Sequence, residues 1–189
     1  MKNFKTIALA MVIAFSSFGL TAQNKKINLE KSTIKWVGKK VTGQHDGTIN
    51  FSSGTLVFEG NKLKGGAFEV DMTSITVKDL EAGNGKEKLE GHLKSPDFFG
   101  VEKFNTATLV FKTIADKGSD VYTVTADLTV KGITEPVKFD IALGAGSART
   151  SVKINRTKYD VKYGSGSFFD NLGDKAIDDD FELGIVLNY

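Results

Sequence analysis

Residues 122–130, YTVTADLTV, alternate apolar and polar side chains without interruption. The alternation resumes in residues 137–143, VKFDIAL, after a segment with turn-forming residues at 131–136, KGITEP. A period of two residues is typical of a β-strand that buries one face. Two such segments joined by a short turn predict an antiparallel hairpin.

Alternating apolar positions recur along most of the chain. They fall at 68, 70 and 72, at 107, 109 and 111, at 152 and 154, and at 181, 183, 185 and 187. Turn signals separate these segments: Ser53-Gly54, Gly60-Asn61, Gly65-Gly66, Lys117-Gly118-Ser119 and Gly144-Ala145-Gly146. We count about eight strands and no alternation of strands with helices. The pattern therefore predicts an all-β fold, an eight-stranded antiparallel lipocalin-like barrel whose interior is filled or holds one small ligand.

One helical signal interrupts the strands, in residues 88–104, KLEGHLKSPDFFGVEKF. Its first residues place three side chains on one helical face: Leu89, His92 and Leu93. Asn84 is the predicted N-cap, and Pro96 ends the helix because the residue before a proline avoids the α conformation. We predict a short helical insertion at roughly residues 79–100 that lies against the barrel near one end.

Two pairs of adjacent phenylalanines lie outside the clear strands, Phe98-Phe99 and Phe168-Phe169. Adjacent residues of a strand point to opposite faces, so one strand face cannot bury both rings of a pair. Ordinary core packing accounts for most of the 14 phenylalanines. The two pairs instead indicate the lining or rim of an apolar pocket.

The N-terminus has the pattern of a secretory signal peptide over residues 1–22. Lys2 and Lys5 precede a mostly apolar run that is too short to span a membrane, and Ala22 is a small residue suited to cleavage. We expect a single domain at 23–189, released in the periplasm or outside the cell, and we expect residues 23–26 to be frayed. The absence of cysteine excludes disulfides and a lipid-modified cysteine. No stable membrane insertion is expected.

Charge and motifs argue against several classes of function. Cleavage removes only Lys2 and Lys5, which leaves 23 basic and 23 acidic residues, so nothing favours nucleic acid as a partner. No serine elbow or phosphate-loop pattern is present. His45 and His92 are the only histidines and lack the spacing of metal ligands. We therefore expect no enzymatic activity, no cofactor and no metal.

Four separated motifs resemble the YceI-like family of secreted lipid-binding proteins. They are residues 88–104, residues 35–39 with 43–47 (KWVGK and GQHDG), residues 128–137 (LTVKGITEPV), and residues 154–156 (INR) with Tyr159. The resemblance runs from about residue 32 to 189. Asn105 and Asp160 depart from the family pattern, which often has proline and glycine at these positions.

The resemblance implies a carrier that binds a long isoprenoid or related amphiphile, such as a polyisoprenoid, a quinone or a fatty-acid derivative, in an apolar cavity. Our candidates for the apolar lining are Trp36, Phe68, Val70, Met72, Leu93, Phe98, Phe99, Phe111, Leu128, Phe139, Phe168 and Leu183. Our candidates for the polar head are His45, His92 and Arg156. An arginine fork suits a phosphate, although a structural role for Arg156 is equally compatible with the sequence.

Two alternatives stay open at this point. One is an enzyme that acts on a lipid or quinone through His45 or His92. The other is a stress-related protein with a solid core and no ligand. The sequence does not identify the lipid, its loading partners or the oligomeric state, for which a homodimer is one option.

Overall fold

The computed structural model describes residues 22–189, and the predicted signal sequence lies almost entirely outside them. Within this range the chain forms nine strands, one α-helix and two short 3-10 helices. The strands are β1 (Ala22–Lys26), β2 (Thr33–Lys40), β3 (Gly43–Glu59), β4 (Lys62–Val77), β5 (Thr106–Gly118), β6 (Val121–Val130), β7 (Ile133–Gly144), β8 (Ser147–Asn155) and β9 (Ile177–Asn188). The helix α1 is Lys86–Lys94, and the 3-10 helices are Arg156–Tyr159 and Gly173–Lys175.

Strands β2 to β9 close into an antiparallel barrel. The order in the sheet is β1-β3-β2-β9-β8-β7-β6-β5-β4, and β4 pairs back onto β3. The eight-stranded barrel with a short helix is therefore confirmed. In β4 to β9 the inward face carries the apolar set that the alternation predicts. In β6, for example, every second residue from Tyr122 to Val130 is buried.

The expectation that residues 23–26 are frayed is wrong. They belong to β1, a ninth strand outside the ring, which pairs with the C-terminal half of β3 from Ala22↔Glu59 to Lys26↔Thr55. All five residues of β1 are exposed. Backbone hydrogen bonds therefore hold this strand, and these leave no apolar pattern in the sequence.

Two predicted turns are also wrong, because Ser53-Gly54 lies inside β3 and Gly65-Gly66 inside β4. These glycines make room for neighbouring side chains. A Cβ at Gly54 would lie 2.7 Å from the Phe68 ring, and one at Gly66 would lie 2.8 Å from the Phe111 ring. The turns at 60–61, 119–120 and 145–146 occur where they were expected.

The turn after β6 is shorter than predicted, since β7 begins at Ile133 and contains Pro136. The proline is tolerated there because β8 pairs only with residues 141–144 of β7, which leaves one edge of the earlier part open. Asp160 has φ +58°, the left-handed region that favours glycine, and glycine is the residue that the family pattern often has there.

Helix α1 ends as predicted, with Ser95 extended before Pro96, but it begins differently. The N-cap is Gly85 with φ +94°, and Asn84 makes no side-chain cap. The carboxylate of Glu87 instead accepts the N–H of Gly83 at 3.0 Å. Glycine adopts this left-handed conformation at little steric cost.

Tyr159 allows a test of the buried 3-10 turn. Its side chain is 2% exposed, its Oη has no hydrogen-bond partner within residues 22–189, and burial raises its pKa to about 12. Because the folded state holds the proton more tightly, the contribution of Tyr159 to stability is complete below pH 10 and is lost as the pH rises from 10 to 12. We expect Tyr159→Phe to change the free energy of unfolding at pH 8 by less than about 1 kcal/mol and to lose less stability at pH 11.

Urea titrations at pH 8 and pH 11 measure this difference. Tyr163→Phe is the matched control, because Tyr163 is exposed. If wild type and Tyr159→Phe lost the same free energy of unfolding between pH 8 and pH 11, the raised pKa of Tyr159 would not be a source of the alkaline loss.

Candidate ligand-binding site

Two apolar cavities lie inside the barrel. The larger one, here called the upper cavity, has a volume of about 160 Å³, and the lower cavity has about 80 Å³. They share wall residues and therefore lie next to each other along the interior: Ile34, Val70, Ala107, Leu128 and Leu183. An engineered cavity of about 150 Å³ holds a benzene ring. The upper cavity thus admits a ring or a branched unit without rearrangement.

Most candidates for the apolar lining contribute to these walls. The upper cavity is lined by Trp36, Val70, Met72, Leu93, Phe98, Phe99, Leu128 and Leu183. Phe68, Phe111 and Phe139 line the lower cavity. Their ring centroids are 5.7 Å apart for Phe68–Phe111 and 6.0 Å apart for Phe111–Phe139, so the lower end of the barrel is packed with aromatic rings.

The two phenylalanine pairs differ. Phe98 is buried and Phe99 half-buried, and both reach the upper cavity from the turn after α1. Phe168 lies outside both cavities and is 51% exposed, as is Phe169. Its ring faces the ammonium group of Lys162 at 5.1 Å. Phe168 therefore does not line either cavity, contrary to the expectation from the sequence.

The structure adds wall residues that were not among the candidates for the apolar lining. Ile34 and Phe181 line the upper cavity and lie two residues from Trp36 and Leu183 on the same strands. The period of two was the signal that could have found them. Gly38 also lines this cavity, and its lack of a side chain hid it from a search for apolar residues.

Helix α1 covers this end of the barrel and is tied to β4. The Glu90 carboxylate accepts the backbone N–H of Val77 at 2.9 Å, and this hydrogen bond is the main cause that lowers the pKa of Glu90. Beyond the helix, the N–H of Phe99 reaches the Leu93 carbonyl at 3.1 Å. The covering helix and the phenylalanine turn are therefore one hydrogen-bonded unit.

Charged residues occur only at one end of the upper cavity wall, which we call the mouth. Arg156, Asp178 and Asp180 lie there beside Gly38 and Ile177. The lower cavity has only Thr108 and Thr150 as polar wall residues. A ligand with an apolar tail and a polar head would therefore be oriented with its head at the mouth.

Arg156, a candidate for the polar head, is buried and bound to the backbone. Its Nη1 donates to the carbonyls of Val161 (2.8 Å) and Tyr163 (2.9 Å). Its Nε donates to Asp178 (2.8 Å) and its Nη2 to Ile177 (3.0 Å). Four of the five N–H donors are thus taken, and Asp179 Oδ1 lies 3.8 Å from Nη2. Burial lowers the pKa of Arg156, against the opposing effect of Asp179 and Asp178. We assign Arg156 a structural role.

His92 is held between two aromatic rings. Its ring centroid is 4.8 Å from that of Phe98 and 4.5 Å from that of Tyr163, both in edge-to-face geometry. The imidazole thereby connects α1 to the segment after the first 3-10 helix. This packing gives His92 a place beside the upper cavity, although not in its wall.

His45 is paired with a carboxylate. Its Nδ1 lies 2.7 Å from Asp79 Oδ2, and Asp79 Oδ1 accepts the N–H of Asp46 at 3.0 Å. Burial raises the pKa of Asp79, but the hydrogen bonds from His45 and Asp46 outweigh it, so the pKa is lowered and the carboxyl stays ionised. The structure places His45 in strand β3 rather than in a loop.

Within residues 22–189 no group of His, Cys, Asp and Glu has the geometry to hold a metal ion. In the same range no helix is both long and apolar enough to cross a membrane.

Comparison with known proteins agrees with this architecture. The sequence model of the YceI-like domain family matches residues 25–189. The chain is 34% identical to a UPF0312 protein of Shewanella denitrificans over 91 residues, and this stretch covers 48% of this chain and 45% of that protein. It is 35% identical to a UPF0312 protein of Staphylococcus aureus over 107 residues, and this stretch covers 51% of this chain and 60% of that protein. The chain thus spans about half the length of these relatives.

Three solved structures share the fold. Burkholderia cenocepacia BcnA has a TM-score of 0.68 at 22% identity, over 85% of this chain and 98% of that chain. A polyisoprenoid binding domain from Saccharophagus degradans, implicated in plant cell wall breakdown, has a TM-score of 0.57 at 14% identity, over 89% and 97%. The Campylobacter jejuni YCEI protein has a TM-score of 0.54 at 15% identity, over 99% and 91%. At these identities the likeness establishes the fold alone.

Proposed function

Because the chain belongs to the YceI-like domain family, we propose that it binds a long-chain isoprenoid or a similar amphiphilic lipid inside the barrel and sequesters or carries it. The observation that carries this proposal is the pair of adjoining apolar cavities, with charged residues only at the mouth of the upper one. The Saccharophagus domain of the same fold is a polyisoprenoid binding domain, which supports the same class of ligand here.

The driving force is removal of the tail from water. Burial of apolar surface contributes about 25 cal/mol per Å². Hence a tail is bound tightly without strong polar contacts. A long tail fills more than the two cavities, so binding has to move wall side chains apart. The half-buried Phe99 and Phe181, whose ring centroids are 6.4 Å apart, are placed to make that adjustment.

We further propose that the chain acts in the periplasm or outside the cell, after cleavage near Ala22. This rests on the N-terminal sequence pattern, Lys2 and Lys5 followed by a mostly apolar run. A binding role without catalysis fits the positions of Arg156 and His92, since the backbone holds the first and two aromatic rings hold the second.

The experiment that tests the function is mass spectrometry. The full-length chain is expressed with its own N-terminus and purified without detergent, and its organic extract and native mass are recorded. A stoichiometric long-chain amphiphile would support the proposal. A clean extract together with a ligand-free native mass, and no uptake of added prenol, would refute it and favour the solid-core alternative.

A substitution at the mouth makes this test specific. Gly38 lines the upper cavity, and a Cβ added there meets no atom within 4 Å. We therefore expect Gly38→Leu to fold and to fill the mouth. When lipid is bound, the leucine side chain competes with it for the same space, and overpacking of a filled interior costs about 1–3 kcal/mol. The content of bound lipid should therefore fall about tenfold, as 1.4 kcal/mol corresponds to one decade of affinity.

Gly184→Leu is the matched control. Gly184 is exposed on β9, pairs with Lys35 on the outer face, and also leaves a Cβ free of contacts within 4 Å. It should keep the lipid content of wild type. Equal lipid content in the two variants would show that the ligand lies elsewhere than behind Gly38.

A further inference from the structure

The strand register places His45 on the inward face of the barrel. Directly paired residues of antiparallel strands point to the same side of a sheet. Ile34 pairs with Ile49, and both line the upper cavity. Two residues on, Trp36 pairs with Gly47, and two further on, Gly38 pairs with His45. His45 therefore lies one step beyond Gly47 toward the rim, about 7 Å along the strand.

Asp79 continues the neighbouring strand on the same face. The N–H of Lys78 donates to the Asp46 carbonyl at 2.8 Å, which extends the pairing of β3 and β4 past Val77. Asp79 then stands across from His45, with Oδ2 2.7 Å from Nδ1. The pair is thus built into the rim of the barrel by backbone pairing.

The hydrogen bonds of Asp79 determine which imidazole nitrogen carries the proton. An ionised carboxylate only accepts, so Nδ1 of His45 must donate to it. In the neutral imidazole, Nε2 is then an acceptor with a free lone pair. Within residues 22–189 Nε2 has no hydrogen-bond partner, and the His45 side chain is 31% exposed.

His45 is not in the wall of the upper cavity, but the space beside it is open on the side of β2. Gly38, the pairing partner of His45, has no side chain, and a Cβ built there meets nothing within 4 Å. Neither of the other candidates for the polar head has a comparable acceptor. Arg156 can only donate, and four of its donors are bound to carbonyls. His92 is enclosed by the rings of Phe98 and Tyr163.

We propose that His45, oriented by Asp79, accepts a hydrogen bond from a hydroxyl group on the head of the bound lipid. The preferred ligands are then long-chain phenols, quinols or alcohols, rather than the matching ethers or carbonyl compounds. This inference rests on the proposed function, because it assumes a lipid whose head lies at the mouth.

A pair of ligands isolates the hydroxyl. 4-Decylphenol and 4-decylanisole share the ring and tail, but only the phenol can donate. Their dissociation constants are measured at pH 8.5, above the range in which histidine ordinarily changes charge, through the emission of Trp36, the only tryptophan and a wall residue of the upper cavity. The affinity ratio of the two ligands in wild type is compared with that in each variant, so that their different hydrophobicity cancels.

His45→Ala should lower the phenol-to-ether ratio about five- to tenfold, the size of one net hydrogen bond, through weaker binding of the phenol alone. Asp79→Asn should lower it similarly without removing the imidazole. The N–H of Asp46 holds the amide oxygen, so the amide nitrogen faces Nδ1 and Nε2 becomes the protonated nitrogen. Asp140→Asn is the control, because Asp140 is an exposed carboxylate bound to Lys117 and Thr123.

An unchanged ratio in His45→Ala would overturn the inference while leaving the proposed function intact. Failure of both ligands to bind wild type would refute the proposed function together with the inference.

Discussion

Replacement of Arg156 by alanine is expected to lower the free energy of unfolding by about 3 kcal/mol or more, since each buried polar group left unpaired costs about 1–3 kcal/mol. The guanidinium binds four backbone carbonyls on both sides of the segment that leads from the first 3-10 helix to β9, at Val161 and Tyr163 and at Ile177 and Asp178. Alanine removes the side-chain donor of these carbonyls and the neighbouring positive charge of the partly buried Asp179, which keeps its hydrogen bond from Ser167.

The loss should reach the ligand as well. Ile177 and Asp178 line the upper cavity, and both are bound through Arg156. We therefore expect the variant to release lipid at denaturant concentrations below its own unfolding midpoint. Urea titration followed by circular dichroism gives the stability, and lipid content along the same titration gives the release.

Arg149→Ala is the control for the loss of one positive charge. Arg149 is the only other arginine, and its side chain is exposed on β8. An exposed substitution of this kind usually changes stability by less than about 0.5 kcal/mol. Equal stability of the two variants would contradict the structural role of Arg156.

The barrel could be predicted because its strands bury one face each. In β5 to β7 and in β9 the inward positions are the apolar residues of a two-residue repeat. This repeat can be recognised in the sequence without knowledge of which strands pair. Strand β1 leaves no such trace. Its sequence AQNKK is exposed throughout and is held by its pairing with residues 55–59 of β3.

The glycines show a second limit. Gly54 and Gly66 have the composition of turns, but they lie in strands where a ring of Phe68 or Phe111 occupies the place of a side chain. That contact joins residues far apart in the chain, so no local pattern reports it. The candidate site divides in the same way: apolar lining residues follow from alternation, whereas the pairing of His45 with Asp79 depends on strand register.

Gly47→Ala is expected to be the most damaging small substitution in the wall of the barrel. A Cβ at Gly47 would overlap the backbone carbonyl oxygen of Thr76 and lie 2.6 Å from Cζ2 of Trp36. A shift of the indole would relieve only the contact with Trp36. The contact with the Thr76 carbonyl involves backbone, so β3 and β4 must separate locally. We expect a loss of about 3 kcal/mol, at the upper end of the usual cost of overpacking.

The matched control is Gly38→Ala, in the neighbouring strand and on the same inward face, where a Cβ meets nothing within 4 Å. Its stability should stay within about 1 kcal/mol of wild type, the ordinary propensity difference in a strand. Trp36 emission should shift in Gly47→Ala and not in Gly38→Ala, because only the first displaces the indole. If Gly47→Ala were as stable as Gly38→Ala and had an unchanged emission spectrum, Trp36 would not lie against Gly47. Its place in the wall of the upper cavity would then be wrong.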